Sequence, residues 1–139
     1  MIFSRKFEYG LRALVHLAQA GRVCDVGEIS QKQKAPYHFV AKVLQELKGR
    51  GFVKSVRGAG GGFTLARLPR QVVLLDVVKA LEGDQFLSSC LYGLDECSDS
   101  VPCPLHQDWK AIRNQMETYL QTHSLAELAE AESANQPRT

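Results

Sequence analysis

Apolar residues recur at three- and four-residue spacing along most of the chain, and glycine or proline closes each run. That is the signature of short amphipathic helices. Gly10, Ala13, Leu14, Leu17 and Ala18 mark one face of a helix over about residues 5–20, with Gly21 as its stop. Asp25 followed by Glu28 resembles a capping box and predicts a second, short helix from Val26 to about Lys32, with Val26 and Ile29 turned inward. Pro36 suits a helix first turn, and Val40, Val43, Leu44 and Leu47 form the inner stripe of a third helix that ends near Gly51. Two helices joined by so brief a turn make a helix-turn-helix.

The period then changes. Residues 52–57, FVKSVR, and 63–67, FTLAR, carry β-branched and aromatic side chains on either side of Gly58-Ala59-Gly60-Gly61-Gly62. This predicts a two-stranded hairpin. A phosphate-cradling nucleotide loop needs a helix after the glycines, and here a strand follows, which argues against that motif. A hairpin directly behind a helix-turn-helix is a wing, so the fold class is mainly α with a small β-hairpin: a winged helix-turn-helix. Glycines at the tip would let it approach a sugar–phosphate backbone, framed by Arg57 and Arg67.

Beyond the wing, Leu74, Val77, Val78 and Leu81 predict another short helix, closed by Gly83. Leu105, Trp109, Ile112, Met116 and Tyr119 are spaced four, three, four and three, a heptad seam on a helix of about 18 residues starting at Pro104. Such a seam either pairs with its twin or folds back on its own domain. Ser124 with Glu127 caps a last short helix. The expected organisation is a DNA-binding domain over 1–83, a cysteine-rich sensor loop over 84–103, a dimerisation helix and closing helix over 104–132, and a disordered tail over 133–139.

Charge sharpens the assignment of the first half. Residues 1–70 hold 13 Lys and Arg against four Asp and Glu, net +9, whereas residues 71–139 hold four against 11, net −7. A cationic helix-turn-helix is built to meet phosphates. The positions off the buried stripe at the start of the third helix are Tyr37, His38, Ala41 and Lys42, the candidates to face base edges in double-stranded DNA. Arg57, Gly60 and Gly61 are the candidate wing contacts, and Lys32, Lys34, Lys48 and Lys54 suit phosphates. The absence of a long apolar run near Met1 favours a cytoplasmic chain with no membrane contact. The sequence carries no Ser/His/Asp set or carboxylate pair that suggests an enzyme.

Cys90, Cys97, Cys103 and His106 fall within 17 residues, in a polar stretch with one glycine and one proline before Cys103. Thiolates and imidazoles are the ligands of zinc and of iron–sulfur clusters. Three close thiols make a poor disulfide framework, though a single bridge and a spare thiol is the plain alternative. Cys24 stands apart and reads as an incidental thiol.

The stretch 53–66, VKSVRGAGGGFTLA, resembles the wing signature of the bacterial Rrf-type regulators, the family of IscR, NsrR, RirA and CymR. Residues 7–14, FEYGLRAL, and 124–128, SLAEL, are similar to the family's first and closing helices, so the resemblance spans about residues 1–130. It implies a homodimeric transcription regulator holding a 2Fe-2S or 4Fe-4S cluster through Cys90, Cys97, Cys103 and a fourth ligand. His106 matches the histidine that completes the site in IscR, and Glu8 matches an acidic ligand supplied across the dimer in other members. The first cysteine gap is one residue longer than the family's usual five. Ala41 and Lys42 replace the longer acidic and amide side chains at the base-reading positions of IscR, so no target sequence is implied. Two other readings stay open: the same regulator with a structural zinc or thiol site, and an iron–sulfur redox or carrier protein.

Overall fold

The computed structural model describes residues 3–94 and 98–134. Helix α1 (Arg5–Ala20) starts where the Ser4 side chain accepts the Phe7 amide at 3.1 Å, and it ends at Gly21, in the left-handed region at φ 62°. Helix α2 (Val26–Gln33) is capped by Asp25, which accepts the Glu28 amide at 2.7 Å. Only half of the expected capping box forms, because the Glu28 carboxylate turns away toward His16 and Arg22. Helix α3 (Tyr37–Gly49) follows after Pro36, and strands β1 (Val53–Val56) and β2 (Gly62–Leu65) pair antiparallel with Val53 opposite Leu65 and Val56 opposite Gly62.

The wing has one further backbone partner that the sequence pattern does not announce. Cys24, between α1 and α2, exchanges two backbone hydrogen bonds with Phe63, at 2.9 and 2.8 Å. The hairpin is thereby tied to the helix-turn-helix along its β2 edge.

Helix α4 (Leu74–Glu82) buries its apolar face with those of α1 and α3 in a single core. Gly10 lies where the helices come closest: a Cβ there would sit 2.6 Å from Leu81 Cδ1 and 3.0 Å from Val43 Cγ1. The N-terminus of α1 is tied to the end of α4, since the Ser4 amide donates to Glu82 at 3.0 Å and Phe3 stacks between Phe7 and Phe86. The expected loop over 84–103 begins instead with a 3-10 turn (Asp84–Leu87) that buries Leu87.

Helix α5 (His106–Thr122) starts two residues later than Pro104. Cys103 to His106 form a tight turn, with the His106 amide donating to the Cys103 carbonyl at 3.1 Å, and this takes Pro104 out of the helix. Helix α6 (Leu125–Ala134) runs two residues into the expected tail, and residues 135–139 lie outside the described residues. It packs back on α1, where Gln19 donates to the Ala129 carbonyl and the Ser133 hydroxyl, both at 3.2 Å. Backbone bonds from Leu74 to His123 and from Leu125 to Val72 pin its start. The result is a winged helix-turn-helix with two C-terminal helices. Among the described residues no helix is long and apolar enough to cross a membrane.

Candidate nucleic-acid interface and metal loop

Helix α3 buries Val40, Val43, Leu44 and Leu47, and this leaves Tyr37, His38 and Lys42 exposed at its N-terminal end, with Ala41 half-buried beside them. The apolar stripe therefore sets which side chains a groove could meet. Lys32, Lys34, Lys48, Lys54 and Arg57 are also exposed. Lys34 adopts the left-handed conformation that closes α2, at φ 54°.

Arg67 has a different task from Arg57. Its guanidinium donates to the carbonyls of Gly51 at 3.1 Å and Arg50 at 3.2 Å, and lies over the Phe52 ring at 4.4 Å. It locks the turn between α3 and β1 rather than framing the wing tip.

The wing glycines also divide. Gly58 and Gly60 have positive φ and open space around the place of a Cβ. At Gly61 a Cβ would lie 2.3 Å from the Val56 carbonyl oxygen, and at Gly62 it would lie 2.2 Å from the Cys24 carbonyl oxygen. Half of the glycine run is demanded by the wing's own packing. The physical reason is that a tight turn and the bridging Cys24 backbone close on the same few atoms.

In the acidic half, Cys103 is buried and Cys90 half-buried, and both are unbridged thiols. Cys97 lies outside the described residues. Burial pushes the Cys90 thiol up, but the backbone N–H groups of Leu94 and Tyr92, the Cys103 thiol and the Gly93 N–H outweigh it, and the net shift is downward. Consecutive amides around a sulfur favour its thiolate form, the form that binds metals.

His106, 4% exposed, follows Cys103 through the tight turn. Its Nε2 is 2.7 Å from Asp99 Oδ1, and Lys110 Nζ is 2.9 Å from both oxygens of that carboxylate. The hydrogen bond from His106 and then Lys110 hold Asp99 down to about 2. A carboxylate on one ring nitrogen fixes an imidazole's tautomer and orientation, as beside a ligating histidine. Glu8 lies half-buried in the first turn of α1.

The heptad seam on α5 splits into two rows. Trp109 is half-buried, its indole N–H donating to the Ser89 carbonyl at 3.1 Å, and Met116 packs on the core. Leu105, Ile112 and Tyr119, seven residues apart, are 43%, 54% and 58% exposed. Apolar Leu91, Tyr92, Leu94 and Val101 of the cysteine segment are exposed as well.

Sequence reasoning missed one constellation. His16 on α1, Cys24 at the bridge to β2 and Glu28 on α2 bring a ring nitrogen, a sulfur and a carboxylate oxygen within 4.8 Å of one another. The Arg22 and His16 hydrogen bonds hold Glu28 down to about 2, while burial, then Glu28, pushes the Cys24 thiol up to about 11. No spacing rule joins these residues, because they meet only when α1, α2 and the wing pack.

Comparison with known proteins bears on the whole chain. A family model described as Rrf2, iron-dependent transcriptional regulator, matches residues 3–131. The chain is 36% identical over 136 residues to a putative HTH-type transcriptional regulator of Aquifex aeolicus, covering 95% of this chain and 94% of that one. It superimposes on CymR, described as the global cysteine regulator of B. subtilis, with a TM-score of 0.80, at 27% identity and 93% and 96% coverage. T. potens IscR gives a TM-score of 0.74, 26% identity and 99% and 93% coverage. These relatives are regulators rather than enzymes, and the chain belongs to the Rrf2 family of transcriptional regulators.

Proposed function

We propose that this regulator acts as a homodimer that reads operator DNA with α3 and the wing, and senses redox state, iron or nitric oxide through an iron–sulfur cluster at the cysteine loop. Tyr37, His38, Ala41 and Lys42 face base edges in this reading, and Arg57 with Gly60 approaches the backbone at the wing. The exposed row Leu105, Ile112 and Tyr119 is the surface a second copy covers, since solvent-facing apolar side chains repeated every seven residues are the geometry of helix pairing.

The observation that carries the sensing reading is the donor set. Two unbridged thiols lie in this segment, backbone amides draw the Cys90 thiol down, and a carboxylate-oriented imidazole follows Cys103 in the same turn. Cys90, Cys97 and Cys103 would hold the group, with His106 as the fourth ligand or Glu8 of the partner subunit in its place. A cluster bound there supplies a centre whose charge and occupancy respond to oxidants, iron supply and nitric oxide. Iron is favoured over zinc by the family's description as iron-dependent.

The chain's own contacts supply the route from loop to DNA. Ser89 is tied to Trp109 on α5, and the segment's start is tied to α1 through Phe86 and Phe3. A change in the loop thus bears on the dimer helix and on the first helix of the DNA-binding unit together, and biases how two wings sit on two half-sites.

Anaerobic purification followed by an absorption spectrum and iron, sulfide and zinc counts tests this. Stoichiometric iron and sulfide are expected, and zinc without sulfide would replace the cluster by a structural metal. Reconstituting His106→Ala and Glu8→Ala side by side separates the fourth ligand. A histidine variant with unaltered spectrum and stability, beside a glutamate variant that loses both, would assign that ligand to the partner.

A further inference from the structure

We propose that His16, Cys24 and Glu28 form a second cation site, remote in sequence from the cysteine loop, that takes a borderline-soft divalent ion such as zinc. Three donors of three kinds come from three separate elements and lie within 4.8 Å of one another. Tetrahedral zinc, with bonds of about 2.0–2.3 Å, sets its donors roughly 3.3–3.8 Å apart, so closing on an ion needs side-chain adjustments only. A thiol and an imidazole beside one carboxylate disfavour magnesium and calcium and suit zinc, with water in the fourth position.

A second observation points the same way: a positive charge already sits on these donors. The Arg22 guanidinium donates to both oxygens of Glu28 at 3.0 Å and approaches Cys24 Sγ at 3.5 Å. Its side chain is 60% exposed, so it can swing into solvent without disturbing the core. Arg22 is therefore a resident stand-in that an incoming ion displaces. As the ion takes the sulfur, the thiol proton leaves to solvent.

The site's place gives it a consequence. The backbone of Cys24 makes both hydrogen bonds that tie Phe63 of β2 to the helix-turn-helix, Glu28 lies in the first turn of α2, and His16 lies on α1. One ion would staple the wing to the helix-turn-helix and restrain the wing's angle against α3. Binding at this site and binding of DNA would then be coupled, each altering the other's affinity by the same factor.

The test uses the full chain carrying Cys90→Ser, Cys97→Ser and Cys103→Ser, stripped with chelator and titrated with cobalt(II) as the probe. Cobalt is expected to bind once per chain with a thiolate charge-transfer band and tetrahedral d–d absorption, and zinc should displace it. Cys24→Ser removes a fully buried group and risks the fold, so the deciding variants are at His16, whose side chain is 12% exposed, and at Arg22, which is 60% exposed. His16→Gln should weaken binding about tenfold or more, and Arg22→Ala, which removes the competing cation, should tighten it about tenfold. No thiolate band at micromolar protein, or an affinity indifferent to both substitutions while circular dichroism shows the chain folded, overturns the proposal.

Discussion

Gly62→Ala should unhook the wing from the helix-turn-helix. The added Cβ would lie 2.2 Å from the Cys24 carbonyl oxygen, 2.6 Å from its carbon and 2.7 Å from Asp25 Cα. All three are backbone atoms and cannot rotate aside as a side chain would. Cys24 is held by its paired bonds to Phe63, and Asp25 is held by capping α2. The variant has two ways to respond. It can keep the bridge and bear the overlap, at about 1–3 kcal/mol, or break both hydrogen bonds, at roughly 0.5–1.5 kcal/mol each. The φ of +153° adds strain of order 1–3 kcal/mol for any residue with a side chain. A loss of about 2–6 kcal/mol is expected. Gly60→Ala is the control: its φ is +74° but nothing lies within 4 Å of the new Cβ, so it should lose only about 1–2 kcal/mol. Urea unfolding at one fixed protein concentration measures both, because the stability of an oligomer depends on concentration. If Gly62→Ala is no more destabilising than Gly60→Ala, the bridge at Cys24 does not constrain the wing and the packing argument fails.

The two wing arginines should separate cleanly. Arg57→Ala should leave stability within about 0.5 kcal/mol and weaken operator binding by about 1–3 kcal/mol, read by fluorescence anisotropy across a salt series. Arg67→Ala should cost about 1–2 kcal/mol of folding stability in denaturant titration, since it breaks two hydrogen bonds and the contact over Phe52. Ile112→Glu places its charge on a side chain that is 54% exposed in one subunit, so the chain should fold but sediment as a monomer. A folded dimer for that variant would remove the α5 row from the interface. Gly10→Ala should change thermal stability by no more than about 1 kcal/mol, because the gain of about 1 kcal/mol in helix propensity offsets the push on the Leu81 side-chain end and on Val43, and a loss above about 3 kcal/mol would mean that neither side chain can give.

Local chemistry was enough for most of the elements. The apolar stripes of α1, α3 and α4 are written at helical spacing, and Asp25, Gly21 and Gly83 mark ends that each depend on a few adjacent residues. The change of period at Phe52 and the glycine run were enough for the wing, and the close thiols were enough to single out the cysteine segment. Tertiary structure decided matters that depend on distant atoms. The seam on α5 could not disclose that one row of its heptads rests on its own core and loop while the other faces solvent, because both rows are apolar and only packing tells them apart. The glycine run could not disclose that Gly62 is required by Cys24, some 38 residues earlier, rather than by a ligand. Arg67 looked like a wing contact until the turn at Arg50 and Gly51 took its hydrogen bonds. The His16, Cys24 and Glu28 cluster has no local signature at all, since its three donors share no element and converge only because α1, α2 and the wing bury a common core.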